Sequence, residues 1–363
     1  MTRNCHATRA MQRTTMRTVL LVMLTGCQSD EDHPTIITTV THHQVSGTSV
    51  RLQAISAVDE NVVWASGLQG TYVRTTDGGE TWISSVVPGA DSLQFRDVDA
   101  FDSLTAYLLA AGPGTLSRIY KTSNAGESWT LQFTNSEPAG FFDCMAFWDR
   151  DNGLAFSDAV DGEFIIIRTT DGEHWDLIPL DAVPDALPGE GSFAASGSCM
   201  VTQDDSTAWF GTGASEKARV FKTADRGDNW SVAETPVVSG SMRGITSLTF
   251  FDGATGVAAG GDINNVDVHT DNLAVTHDGG STWQLAGRPV FTGAVYGLAG
   301  SVQDDRTVLL AVGPGGLDYS SDNGMAWVAL DTLEYWSTAL ASFATGWAVG
   351  PRGRIIRVQM HNR

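Results

Sequence analysis

Thr75-Thr76-Asp77-Gly78-Gly79-Glu80-Thr81-Trp82 decides the fold of this chain, because it recurs at 122–129, 169–175, 223–230, 276–283 and 320–327. The shared core is Ser/Thr-x-Asp-x-Gly-x-x-Trp. An aspartate in this setting turns its carboxylate onto nearby backbone N–H groups, and glycine accepts the positive φ of a tight turn. The tryptophan then opens a new strand and buries a large ring. The phrase is a hairpin written six times.

The strands around it follow the same rhythm. From Val50, residues 51–58 alternate, 62–67 form a second strand, 71–75 a third, and 82–87 a fourth after the Asp turn. Four short antiparallel strands in about 45 residues make one blade of a radial array. Trp82, Trp129, Trp175, Trp230, Trp283 and Trp327 are spaced by 47, 46, 55, 53 and 44 residues. The second-strand phrase Val63-Trp64-Ala65-Ser66-Gly67 has counterparts in every unit and a seventh at Gly346-Trp347-Ala348-Val349-Gly350. That last unit stops before a fourth strand, whereas residues 35–43 alternate with no hairpin partner nearby. An open ring exposes two sheet edges, and a strand from the other terminus hides them. The expected fold is all-β: a seven-bladed β-propeller of four-stranded antiparallel blades, closed by the N-terminal strand and spanning 35–363. Six blades plus a broken piece is the alternative.

Ahead of the array the chain reads as an export signal over 1–26. Arg3, Arg9, Arg13 and Arg17 precede a short apolar run at 19–24, too short to span a bilayer. Leu24-Thr25-Gly26-Cys27 resembles a bacterial lipobox, which makes Cys27 the lipidated residue and 27–34 a polar tether. Cleavage there removes four of 22 basic residues and none of 42 acidic ones, leaving a net charge of −24. Such acidity opposes nucleic acid and anionic lipid surfaces. Membrane contact is therefore expected through the anchor alone, in a bacterial cell envelope, facing periplasm or exterior. Cys144 and Cys199 fall at equivalent points of successive repeats, either bonded as a disulfide or as two small buried thiols.

With strands labelled A to D from the axis outward, every Asp phrase lies on a C–D turn, on one repetitive face. The opposite face, where A strands begin and B–C turns lie, is irregular. It gathers Arg51, Arg96, Asp143, Asp158, Glu190, Arg243, Tyr296 and Trp336, the candidate ligand-binding rim. Convergent polar groups in a concave place suit a ligand, although exposed charges are often idle. The basic residues before the phrases, Arg74, Lys121, Arg168 and Lys222, with Arg357 in blade 7, form a partial ring on the repetitive face. A structural role for them, pairing with turn carbonyls or a neighbouring blade, is favoured over an anion-binding ring. The 262–271 run echoes a calcium loop but lacks the mid-loop Gly and terminal Glu, so a polar insertion is favoured and no metal or cofactor is expected. No Gly-x-Ser-x-Gly elbow or His-Glu-x-x-His motif is present.

The phrases at 75–82 and 276–283 resemble the Asp-box (BNR) repeat of sialidases, sortilin-type receptors and some glycoside hydrolases. The runs Phe95-Arg96-Asp97-Val98-Asp99-Ala100-Phe101, Phe141-Phe142-Asp143-Cys144-Met145 and Phe193-Ala194-Ala195-Ser196-Gly197, with Gly260-Gly261-Asp262, are similar to bacterial propellers related to the photosystem II stability/assembly factor. The resemblance implies seven blades and a non-catalytic, assembly-type role on a membrane protein through an arginine-rich surface. Two functions are weighed: a monomeric binding propeller for an envelope or membrane protein or a polymer such as a glycan, and an Asp-box glycoside hydrolase using Asp143 with Asp158 or Glu190. The first is preferred. Replacing Cys27 by Ser is expected to move the protein from the membrane to the soluble fraction on cell fractionation; a variant that stays in the membrane contradicts lipid anchoring.

Overall fold

The computed structural model describes residues 37–362. Among them, seven four-stranded antiparallel sheets follow one another around an axis. Their inner strands are Leu52–Ala57, Phe95–Ala100, Phe142–Asp149, Met200–Gln203, Arg243–Phe250, Gly297–Gln303 and Ser337–Leu340. The first six blades run from axis to rim in chain order. Blade 7 stacks Ser337–Leu340, Thr345–Val349 and Arg354–Asn362, and takes Ile37–Val45 as its outer strand. The compact body is Thr39–His361. The described part of the closing strand ends at Val45, two residues past the end of the expected 35–43. The expected signal 1–26, Cys27, the tether 27–34 and residues 35 and 36 lie outside the described residues.

The second strands explain the spacing. Val63–Gly67, Ala106–Ala110 and Thr345–Val349 are buried along their whole length, which is why they read as unbroken apolar runs. Successive side chains face opposite neighbours. Val63 and Ala65 pack with Trp347, Val349 and Ile355 of blade 7, whereas Trp64 joins Phe95, Val98 and Leu108 of blade 2. Each blade is thus half of two cores.

The Asp phrase is a set of local hydrogen bonds. Thr75 Oγ1 donates to Asp77 Oδ1 at 2.7 Å and accepts from Gly79 N at 2.9 Å. Asp77 also takes Thr81 N and, through Oδ2, the Thr81 hydroxyl at 2.6 Å. These donors hold the Asp77 carboxyl at about 2, well below its usual range. In the shortened copy, the His174 ring meets Asp171 Oδ2 at 2.8 Å where the hydroxyl of Thr81 stands in blade 1.

The turns also join the blades. Arg74 Nε donates to Ala125 O, Lys121 Nζ to Gly172 O, Arg168 Nη1 to Arg226 O and Arg357 Nη1 to Gly78 O, each reaching the Asp turn of the next blade. Arg74, Lys121, Lys222 and Arg357 also lie over Trp64, Tyr107, Trp209 and Trp347, their partners on the adjacent strand. The basic residues of the repetitive face are interblade fasteners.

Closure uses the same device. On the outer strand of blade 2, Gln132 donates to Gly172 O and accepts from Trp175 Nε1. On the N-terminal strand, Gln44 donates to Gly78 O at 3.0 Å and accepts the indole N–H groups of Trp82 and Trp347 at 3.1 and 3.2 Å. Its amide fills the space a Cβ on Gly79 would need, and Gly79 has φ +85°. Gln44→Ala leaves two indole N–H groups without their acceptor, and is expected to destabilise the ring by about 2–3 kcal/mol. A lowered urea midpoint with an unchanged slope is the readout; a wild-type midpoint contradicts the role of Gln44.

Candidate functional site

Four inner strands break register on the irregular face. The breaks fall between Leu52 and Ala54, Phe95 and Asp97, Phe142 and Cys144, and Ile245 and Ser247. A bulge re-aims the extra side chain. Arg96 and Asp143 are such residues, and both line a cavity of about 600 Å³ at the channel mouth, with Asp158, Phe193, Tyr296 and Trp336.

A strap closes the floor of this cavity. Residues 192–198, in the connection leading to blade 4, cross the channel and touch four other blades. Ser192 N donates to Asp158 Oδ1 at 2.7 Å in blade 3, and Arg96 Nη1 donates to Ala194 O at 3.1 Å from blade 2. The Ser337 hydroxyl of blade 7 donates to Ser196 O at 2.8 Å, and Ser198 Oγ meets Ser247 Oγ of blade 5 at 2.6 Å. Gly197 lies against Asp97 with φ +77°, and a Cβ there would fall 2.3 Å from Asp97 Oδ1. The first half of the strap lines the mouth cavity. Its second half lines an inner cavity of about 300 Å³ that includes Asp97, Asp99 and Thr338. The disulfide Cys144–Cys199, Cα–Cα 5.9 Å, ties the inner strand of blade 3 to the end of the strap.

The acids divide into three kinds. Asp143 is 1% exposed, and its buried Oδ2 has no hydrogen-bond partner among the described residues. Burial drives the Asp143 carboxyl well above its usual range, the Asp158 charge adds to this, and Arg96 opposes it. Glu190 is different. Its carboxylate is fully withdrawn from solvent, paired through both oxygens with Arg219, and also accepts from Thr212 Oγ1 and Leu187 N. It gives the cavity a wall, and its charge belongs to Arg219. Asp262 takes Arg243 Nε at 2.9 Å through Oδ2 and Asn264 N through Oδ1, so both are engaged in a rim ion pair and turn. Below the strap, burial raises Asp99 to about 7, and Asp97, which accepts Met145 N, is raised well above its usual range.

The cations differ in the same way. Arg96 is anchored by Gln94 and Ala194. Arg51 stacks on Trp336, Cζ 4.2 Å from the ring centroid, and Trp336 packs on Tyr296 at 5.0 Å. None of the Arg51 N–H groups is hydrogen-bonded to a described residue, and its Nε is buried. Burial lowers the pKa of both guanidinium groups. Of the eight rim residues, Arg96, Asp143, Asp158, Tyr296 and Trp336 converge on the cavity, Arg51 reaches it through Trp336, and Arg243 and the Glu190 carboxylate are occupied elsewhere.

Two-carboxylate sugar hydrolysis needs carboxyl groups about 5–5.5 Å apart for retention or about 6.5–9.5 Å for inversion. Glu190 is paired through both oxygens with Arg219, which takes its charge out of such a pair. The sequence reading missed Arg219 and the strap. The small-residue run Phe193-Ala194-Ala195-Ser196-Gly197, set in a long connection, was the available signal for a segment passing through a narrow channel.

No protein-family model and no curated protein matches the chain. Among solved structures it is similar to YCF48 bound to D1 peptide, with 15% identity over 90% of this chain and 95% of that one and a TM-score of 0.59. YCF48 from Cyanidioschyzon merolae gives 16% identity, 88% and 98% coverage and a TM-score of 0.60. At this identity the likeness establishes the propeller fold.

Removing Arg219 leaves a buried carboxylate without its partner. Arg219→Met is expected to cost about 3–5 kcal/mol, read as a fall in denaturant midpoint. A loss under about 1 kcal/mol would mean that the pair is solvated.

Proposed function

We propose that this chain is an exported, envelope-anchored propeller, monomeric and without chemistry of its own, that holds a segment of a partner protein in the mouth cavity. One observation carries the reading. Arg51 is stacked, half-desolvated and without a hydrogen-bond acceptor, beside a walled cavity that already contains a second arginine and an aromatic pair. A guanidinium held this way offers a planar set of donors to a carboxylate at little further ordering cost. Tyr296 and Trp336 add flat apolar surface for a side chain or backbone. The structural neighbour YCF48 was solved with a D1 peptide, which supports a peptide rather than a sugar as the kind of occupant.

The anchored location rests on the lipobox phrase ending at Cys27 and on the acidic mature chain.

The test is an array of peptides taken from termini and loops of envelope proteins, scored by fluorescence anisotropy with the purified domain. Arg51→Ala and Trp336→Ala are each expected to weaken the binding peptides about tenfold, whereas Arg74→Ala on the other face leaves them unchanged. Equal loss in all three variants, or hydrolysis of a glycan panel that disappears in Asp143→Asn, overturns the reading.

A further inference from the structure

Given a peptide occupant of the mouth cavity, we propose that the carboxyl group of Asp143 seats the ammonium group of a lysine side chain, on the same partner segment whose acidic group meets Arg51. Asp143 lines the cavity from the bulge of blade 3, is 1% exposed, and its buried Oδ2 has no hydrogen-bond partner among the described residues. A buried acceptor left unmet is costly, so native structures rarely keep one without a use. Other buried acids are provided for. Glu190 is held by Arg219, Asp262 by Arg243, and Asp97 by Met145 N. Asp318 also has an unpaired oxygen, but its other oxygen takes Val290 N and Phe291 N, and it lines neither cavity. Among the described residues, Asp143 alone combines a buried unpaired polar atom with a place in the wall of either cavity.

The surroundings select the charge and size of the seated group. Asp143 and Asp158 bring two carboxyl groups to the blade 3 wall, and Asp158 is held there by Ser192 N at 2.7 Å. Arg96 is the one guanidinium lining the cavity, and it donates to Gln94 and Ala194 O rather than to either acid. A single further positive charge balances this wall. No three acidic, histidine or cysteine side chains gather around a metal-sized site among the described residues, so an organic cation fits better than a metal ion. The opening onto Asp143 is narrow, which admits a compact ammonium and hinders the planar fork of a guanidinium. Phe141, Phe193 and Ala195 line the same cavity and offer apolar surface to the methylene stem of lysine. Burial raises the Asp143 carboxyl, so the unliganded protein keeps a proton there; an arriving ammonium displaces it to solvent and pairs with the carboxylate. Arg51 and the Trp336–Tyr296 pair remain for the acidic group of the same segment.

The test titrates Nα-acetyl-lysine amide and Nα-acetyl-norleucine amide into the purified domain and follows binding by ligand-observed NMR. The two probes share a backbone and a stem and differ in the ammonium group. The lysine probe is expected to bind about tenfold tighter to the wild type. Asp143→Asn, which keeps the shape and removes the charge, brings the probes within about twofold of each other. Asp228→Asn, which removes a charge from the repetitive face, keeps the wild-type ratio. Equal binding of both probes by the wild type, with water alone satisfying Asp143, overturns the proposal. So does a lysine preference that survives in Asp143→Asn, or no binding of either probe up to about 20 mM. Should Asp143→Asn fail to fold, Asp158→Asn takes its place: a fall of about threefold in the ratio supports the seat, and an unchanged ratio overturns it. Neither probe carries a carboxylate, so the outcome is independent of Arg51. A lysine preference without any hit in the peptide array supports the seat and strikes the peptide reading; array hits without a lysine preference strike the seat alone.

Discussion

The carbonyl groups of the Asp turns connect the blades. The local hydrogen bonds of Thr75, Asp77 and Thr81 occupy the N–H side of the turn and leave Gly78 O pointing away, where Gln44 and Arg357 of blade 7 take it. Gly126 O receives Tyr72, Gly172 O receives Tyr107, Lys121 and Gln132, and Gly279 O receives Trp209. A turn that satisfies itself on one side and the preceding blade on the other sets both the shape of a blade and its spacing. Packing of alternating side chains then fills the gap that these bonds define.

The opposite face is released from that duty, and its irregularity has a use. Bulges turn Arg96 and Asp143 toward the axis, where the strap gives Arg96 a backbone partner in Ala194 O. Burying charge is costly unless it is paired or neutralised. The structure uses two solutions within one rim: an ion pair at Glu190 and Arg219, and aromatic stacking at Arg51 and Trp336. Of these, Arg51 alone keeps unused donors, which is why the binding reading centres on it.

Much of the ring was legible from the residues. The phrase at 75–82 gave the hairpin, the tryptophan spacing gave the blade, and Gly346-Trp347-Ala348-Val349-Gly350 gave the seventh unit, because local turn chemistry and period-two burial are properties of short stretches. The closing strand was legible, but Gln44, one residue past its expected end, was not, since it acts through Gly78, Trp82 and Trp347, far away in sequence. The site was legible as a face and much less as chemistry. Glu190 and Asp143 look alike in sequence; only folding shows that one meets Arg219 and that the other keeps a buried oxygen without a partner among the described residues. The basic ring was anticipated as structural, and four of its five members, Arg74, Lys121, Arg168 and Arg357, do donate to turn carbonyls of the next blade.

The closing strand has a mechanical meaning as well. Ile37–Val45 lies beside Arg354–Asn362 as the outer strand of blade 7, and Gln44 clasps blade 1 from within it. Tension applied to the chain upstream of Thr39 therefore runs along the strand and loads its ladder of hydrogen bonds together, in shear. Peeling would break them one at a time. A ring closed by its own entry strand thus carries a pull at its seam.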